Sequence, residues 1–180
     1  MALPQEKIYT IKDIYSLPEG QRAELIDGQI YFMAPPSTMH QRIIVKLSHR
    51  ILSYIDKEGG NCEVLLAPFA VFLNEDDRNY VEPDVSIICE KEKLNEKGCN
   101  GAPDWIIEIV SPSNQQIDYG IKLFKYRRAG VREYWIINPM MHTVNVYDFE
   151  HEKQTCQYSF DHDIPVCIFR DLCIKIADLL

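Results

Sequence analysis

The alternation of apolar and polar positions divides the chain into short extended pieces around two helical stretches. Thr10 and Asp13, followed by Ile14 and Leu17 before Pro18, predict a short N-capped helix. Residues 23–26 and 29–33 flank Asp27-Gly28, two residues that tolerate positive φ, so a hairpin is expected with Glu24 on its first strand. Pro35-Pro36 breaks the chain, and Ser37 can cap the next helix. Ile44, Leu47, Ile51 and Ile55 then recur at helical spacing up to Gly59-Gly60, the signature of a long core helix. Strands are predicted over 64–66 and 69–73, a turn-rich tip over 74–79, and a strand over 81–88 in which Asp84 comes after Pro83, a residue confined to strand ends and edges.

After an expected loop over 90–101 comes the unbroken run Trp105-Ile106-Ile107-Glu108-Ile109-Val110. A continuous apolar run belongs to a strand covered on both faces, where an unpaired carboxylate costs several kcal/mol. Glu108 therefore requires a cation, a Lys or Arg partner, or a raised pKa. Ser111-Pro112-Ser113 bends the chain into a helix over 117–129 ended by Gly130 at C′, and a strand over 133–137 completes a β-α-β unit with parallel strands. Residues 143–149 and 154–158 predict a closing meander, and 171–180 a final amphipathic helix. If the 81–88 and 105–110 strands run in opposite directions, Asp84 and Glu108 become neighbours.

With 180 residues, 46% hydrophobic and 26% charged, the chain has the composition of one soluble globular domain, and a cytoplasmic location is expected. Neither a signal-peptide core in the first ten residues nor a segment of membrane-spanning length is evident, so no membrane partner is expected. The six cysteines include no C-x-x-C pair, which argues against a zinc cluster and predicts reduced thiols that mostly pack. The formal net charge of −8 weighs against nucleic-acid binding by simple charge attraction, although clustered carboxylates that hold a metal contribute to that total.

Asp118 and Lys122 lie four apart on a helix that starts just beyond the Glu108 strand. An exposed ion pair is the simplest reading of such spacing; a lysine pointing back over the strand end would instead reach the carboxylates. Converging acids bind Mg²⁺ or Mn²⁺ through hard oxygens, and a nearby ammonium can orient water for phosphodiester hydrolysis. The competing account is a buried ion pair of Glu108 with Lys122 or Lys125. Spacing leaves both open. His40, in the first turn of the long helix, reads first as a surface or capping histidine and second as a group facing the site.

The strings Glu24-Leu25-Ile26-Asp27-Gly28, His40-Gln41, Glu82-Pro83-Asp84-Val85, Glu108-Ile109-Val110-Ser111-Pro112-Ser113-Asn114, Asp118, Lys122-Leu123, Tyr126, Gly130-Val131 and Glu133-Tyr134-Trp135-Ile136-Ile137-Asn138-Pro139 together resemble the Uma-two family of restriction endonucleases, a branch of the PD-(D/E)xK nuclease superfamily. The resemblance runs through nearly the whole chain. It implies one restriction-endonuclease-like α/β (α+β) domain over 1–180: a central mixed sheet flanked by helices, with an N-terminal hairpin and a C-terminal meander plus short helix. It also implies a divalent metal, Mg²⁺ or Mn²⁺, and endonucleolytic cleavage of DNA. Pro83-Asp84 fits the PD element and Glu108 the (D/E) element. The superfamily's lysine two residues later is replaced by Val110, and its role passes by resemblance to Lys122. On that reading Asp84, Glu108 and the Ile109 carbonyl ligate metal, Lys122 orients water, and Glu24 is an additional acid for water or a second ion. Asp118 and His40 are secondary candidates. Cutting both strands of a duplex implies a homodimer. The alternative is a catalytically inactive scaffold that binds nucleic acid or a protein, which the acidic balance would suit.

Overall fold

The computed structural model describes residues 7–74, 76–112 and 114–180. The expectations for the first six residues, for Glu75 in the turn-rich tip and for Ser113 in the bend lie outside the described residues. In chain order the elements are α1 (Ile11–Tyr15), β1 (Ala23–Ile26), β2 (Gln29–Phe32), α2 (Thr38–Glu58), β3 (Glu63–Leu66), β4 (Val71–Phe72), β5 (Val85–Ile88), β6 (Leu94–Asn95), β7 (Gly98–Asn100), β8 (Trp105–Ile109), α3 (Leu123–Ala129), β9 (Glu133–Asn138), β10 (Thr143–Asp148), β11 (Cys156–Ser159), β12 (Ile164–Pro165) and β13 (Cys173–Ile174). A π-helical turn, Ile117–Lys122, runs directly into α3.

The local signals act as their chemistry requires. Thr10 and Asp13 form a reciprocal capping box on α1. Asp27 and Gly28 both take positive φ, 50° and 76°, so β1 turns into β2 with Ile26 opposite Gln29. Ser37 Oγ accepts the His40 N–H at the start of α2, and Gly59 ends that helix in the left-handed conformation at φ 65°.

The central six-stranded sheet has the order β11-β10-β9-β8-β5-β3. It is mixed: β8 and β9 run parallel, and the other pairings are antiparallel. Both faces are covered, which accounts for the unbroken apolar sequences of β8 and β9. One face carries Trp105, Ile107, Ile109 and Val85 against Ile43, Leu47 and Ile51 of α2. The other carries Ile106, Val110, Tyr134 and Ile136 against Tyr126 of α3. The mixed α/β class and the N-terminal hairpin are as expected.

Four expectations are corrected. Residues 171–180 form no amphipathic helix; Leu172, Ile174 and Ile176 are buried and alternate with polar or exposed neighbours, a period of two that pairs β13 with β12, and only Ile176–Leu179 coils into a 3-10 turn. The helix expected over 117–129 opens with the wider π turn. The segment 90–101 is not a plain loop, since β6 and β7 form a hairpin there with β7 beside β4. Cys62 and Cys89 are joined by a disulfide rather than reduced; β3 and β5 pair Glu63 with Ile88, so the next residues outward stand opposite each other. Cys99, Cys156, Cys167 and Cys173 remain free thiols. Among the described residues no helix is long and apolar enough to cross a membrane.

Candidate active site

Glu108 lies next to the last residue of β8 with its side chain on the α3 face, in step with Ile106. The antiparallel register pairs Val85 with Ile107, so Asp84, one residue before β5, stands beside Glu108. Asp84 Oδ2 accepts the Ile109 backbone N–H at 2.7 Å, and His40 Nε2 lies 3.0 Å from the same oxygen. Glu24 arrives from β1. Its Oε1 accepts the Glu82 backbone N–H at 2.9 Å, which couples the hairpin to the segment that carries Asp84.

Lys122 is the centre of the cluster. The π turn and the start of α3 hang its side chain back over the sheet, where Nζ lies 2.7 Å from Glu24 Oε2, 2.9 Å from Glu108 Oε1 and 3.6 Å from Asp118 Oδ1. The lysine side chain is 4% exposed and the three acids 4–6%. Tyr126, one helical turn beyond Lys122, donates its OH to Glu108 Oε1 at 2.7 Å, and Tyr134 OH donates to the Asp118 carbonyl at 3.1 Å. A π-helical turn widens the backbone at functional sites with some frequency, and here it places Asp118 and Lys122 together on the inward side.

One ammonium faces an excess of carboxylates. Burial pushes the Glu108 carboxyl well above its ordinary range; Lys122 pulls against that, and the charges of Asp118, Asp84 and Glu24 add to the rise. Burial likewise pushes Asp118 up to about 6, opposed by Lys122 and reinforced by Glu24 and Asp84. Burial alone would lower the Lys122 ammonium, but Glu108, Glu24 and Asp118 outweigh it and hold it well above its usual value. The lysine stays charged, and the surplus of acid is what remains unbalanced. Asp118 Oδ1 is fully buried without a hydrogen-bond donor.

The donor set suits a hard divalent cation in chemistry and number: four carboxylates, one buried oxygen without a hydrogen-bond donor, and more acids than the single ammonium matches. Among the described residues, however, no three His, Cys, Asp or Glu side chains surround a common open point, because the point shared by Glu24 and Glu108 is filled by Lys122 Nζ. Two spaces lie at or beside the site. A pocket of about 10 Å³, the size of one water, touches Glu24, Asp118, Lys122 and Tyr31. A wider cleft of about 530 Å³ lies beside His40, between Pro35, Met39, Ser111 and Met140.

Of the residues singled out from the sequence, all but Lys125 fall in or beside this cluster. Glu24, Glu108, Asp118 and Lys122 form its core, Asp84 adjoins it through the Ile109 N–H, and His40 adjoins Asp84. His40 is corrected from a capping histidine: its backbone serves the cap while its ring, largely buried, faces Asp84. Asp118 is not half of an exposed pair, and Lys125, the other candidate partner for Glu108, instead pairs with Asp27. Tyr126 and Glu82 have no role assigned to them from the sequence alone. Tyr126 had a usable signal, since it sits four residues after Lys122 on the same helical face. Glu82 acts through its backbone, which no side-chain pattern reveals, while its carboxylate takes Tyr80 OH at 2.6 Å and Arg22.

The model of the Uma2 family, described as "Putative restriction endonuclease", matches residues 11–173. An uncharacterized protein of Synechocystis sp. is 28% identical over 130 residues, covering 72% of this chain and 67% of that protein. A second from the same organism is 26% identical over 160 residues, covering 86% and 88%. A crystal structure described as a "putative nuclease belonging to DUF820" from Anabaena variabilis ATCC 29413 superposes with a TM-score of 0.77 at 26% identity, covering 94% of this chain and 96% of that one.

Proposed function

The chain belongs to the Uma2 family, and from that premise we propose that it is a metal-dependent endonuclease that hydrolyses phosphodiester bonds in DNA. The observation that carries the reading is the buried convergence of Glu24, Glu108 and Asp118 on Lys122 beside Asp84. A fold stabilised only by packing gains little from a buried multi-acid cluster, because desolvation consumes most of the Coulombic return. Surplus buried carboxylate is what a site for a cation and a phosphate would retain.

Asp84, Glu108 and the Ile109 carbonyl, with Glu24 nearby, would hold Mg²⁺ or Mn²⁺, which supplies Lewis-acid polarisation of the phosphoryl oxygen and a more acidic water. The chain's own groups do the positioning. Tyr126 fixes the Glu108 carboxylate by its 2.7 Å hydrogen bond, and the Ile109 N–H with His40 fixes Asp84. Lys122, charged and held between Glu24 and Glu108, orients the attacking water from the small pocket it lines and offsets charge that develops on the phosphoryl oxygens. The cleft beside His40 admits the scissile strand. Cutting both strands of a duplex requires two such sites, and the proposed assembly is a homodimer of one-domain chains.

The second reading is a catalytically inactive binding scaffold, favoured by the Lys122 ammonium at the centre of the acids. A titration of Mg²⁺ or Mn²⁺ against labelled DNA separates the two. Cleavage is expected in the wild type and lost in Asp84→Ala and in Lys122→Ala. Undiminished cutting by either variant defeats the assigned roles, and no cutting by the wild type on varied substrates favours the scaffold.

A further inference from the structure

The cations of this acidic chain are distributed unevenly. On most elements they are neutralised by neighbours: Arg132 by Asp104 and Glu150, Lys153 by Asp148, Lys125 by Asp27 and Arg22 by Glu82. α2 differs. Arg42, Lys46, Arg50 and Lys57 are all exposed, and among the described residues none has a carboxylate at ion-pairing distance; Arg50 makes one long contact, from Nη2 to the Cys173 carbonyl at 3.5 Å. At 100° per residue these four and His49 fall within an arc of about 100°, whose centre lies about 110° round the helix from that of the face that Ile43, Leu47 and Ile51 bury. No acid occurs in α2 before Asp56. A groove of about 400 Å³ runs between Lys46, His49 and Arg50 and the C-terminal turn, where Asp178 is the neighbouring acid and pairs with Lys175 at 4.0 Å.

We infer that this stripe is a track for the phosphodiester backbone of duplex DNA. It rests on the nuclease reading for the identity of the polymer, and on charge complementarity for the surface. Keeping like charges unpaired along a helix face costs local repulsion, and in a chain of net charge −8 such a stripe is complementary to a polyanion such as a nucleic-acid backbone. Arg42 to Lys57 cover roughly 22 Å of helix axis, enough for several consecutive phosphates of one strand. The stripe begins two residues beyond His40, but its centre lies about 130° round the helix from that side chain, so the track runs on the outer side of α2 and holds the duplex apart from the Asp84 end of the sheet. The track sets affinity and its salt dependence without reading sequence.

The test compares the full-length wild type with the triple variant Arg42→Gln, Lys46→Gln, Arg50→Gln, all good helix formers at exposed positions. A control, Arg127→Gln with Arg128→Gln, removes two exposed cations from α3 on the opposite face of the sheet. Binding of a fluorescein-labelled 20-base-pair DNA duplex is measured by anisotropy from 50 to 300 mM salt, in EDTA and in Mg²⁺, with a matched RNA duplex as competitor. The triple variant is expected to bind at least about 10-fold more weakly near 100 mM salt and to lose roughly 2 to 3 from the slope of log K against log salt, while the control keeps the wild-type slope. In cleavage the triple variant should raise KM and leave kcat unchanged. An unchanged slope in the triple variant, an equal loss in the control, or preference for the RNA duplex overturns the track. Wild type that binds with the expected slopes but never cuts leaves the track standing and removes the nuclease reading; cutting with an unchanged KM in the triple variant does the reverse.

Discussion

Replacing Lys122 with methionine preserves much of the side-chain volume and removes the ammonium. Three buried acids then face one another with Glu24 Oε2, Glu108 Oε1 and Asp118 Oδ1 deprived of contacts at 2.7, 2.9 and 3.6 Å. Removal of one partner from a buried ion pair costs about 3–5 kcal/mol, and this lysine serves more than one. The acids relieve part of that cost by taking up protons, which gives the loss a pH signature. Glu108 and Asp118 already titrate above their ordinary range, and without the ammonium their folded-state pKa values rise further while the unfolded ones do not. The folded variant then binds more protons than the unfolded chain, and stability falls as pH rises, by about 1.4 kcal/mol per pH unit for each extra proton. The lysine's own titration lies above the assay range. Urea denaturation of metal-free protein at pH 8 should show a deficit of about 3–5 kcal/mol, a midpoint shift on the order of 2 M, shrinking to less than half at pH 5.5. Mg²⁺ should restore more stability to this variant than to the wild type, by about 2.7 kcal/mol at 100 times its Kd. A deficit below about 1 kcal/mol at pH 8, or one that is equal at both pH values, refutes the account of Lys122 as the charge that compensates these acids.

Asp118→Asn should act in the opposite direction. The folded carboxyl is raised from 3.8 to about 6, so wild-type stability declines between those values as pH rises; the amide removes up to about 3 kcal/mol of that penalty above pH 6 and nothing below pH 4, read as Tm against pH. A lower Tm at pH 7.5 would contradict this. Glu133, fully buried in β9, accepts Trp135 Nε1 at 2.6 Å and the backbone N–H groups of Cys167 and Ile168 at 3.0 Å each. Glu133→Ala leaves one buried and two part-buried donors without their acceptor and should cost roughly 2–4 kcal/mol in urea denaturation, with C-terminal amides losing protection from exchange; a loss under about 1 kcal/mol would count against that tether. Thiol titration of the unfolded, unreduced chain should find four of the six cysteines reactive. The variant Cys62→Ser with Cys89→Ser should lose about 3 kcal/mol, from the 27-residue separation that the bond closes.

Elements whose determinants are local were legible in the residues themselves. The Asp27-Gly28 turn, the Ser37 cap, the Gly59 and Gly130 terminators and the 3.6-residue period of Ile44, Leu47, Ile51 and Ile55 each encode their geometry within a few residues. The same holds for the two-sided burial of β8, which flagged Glu108, and for the motif positions that nominated Glu24, Asp84 and Lys122. Residues 171–180 misled because Leu172, Ile174, Ile176, Leu179 and Leu180, at mixed spacing, fit either period, and only pairing with β12 selects the strand. Cys62 and Cys89 are joined through a register that neither segment carries alone.

Outside residues 90–101 and 171–180, the chain by itself determined which of the main segments are helical or extended, and that Glu108 needed compensation, since burial and turn geometry arise from short-range pattern. Tertiary structure alone decided what compensates it: that Lys122 rather than Lys125 reaches Glu108, that Tyr126 locks the carboxylate, that His40 turns inward to Asp84. Those choices rest on distances of a few ångströms between residues 14 to 98 positions apart, and contacts of that range arise only once the sheet order and the π turn have set the backbone in place.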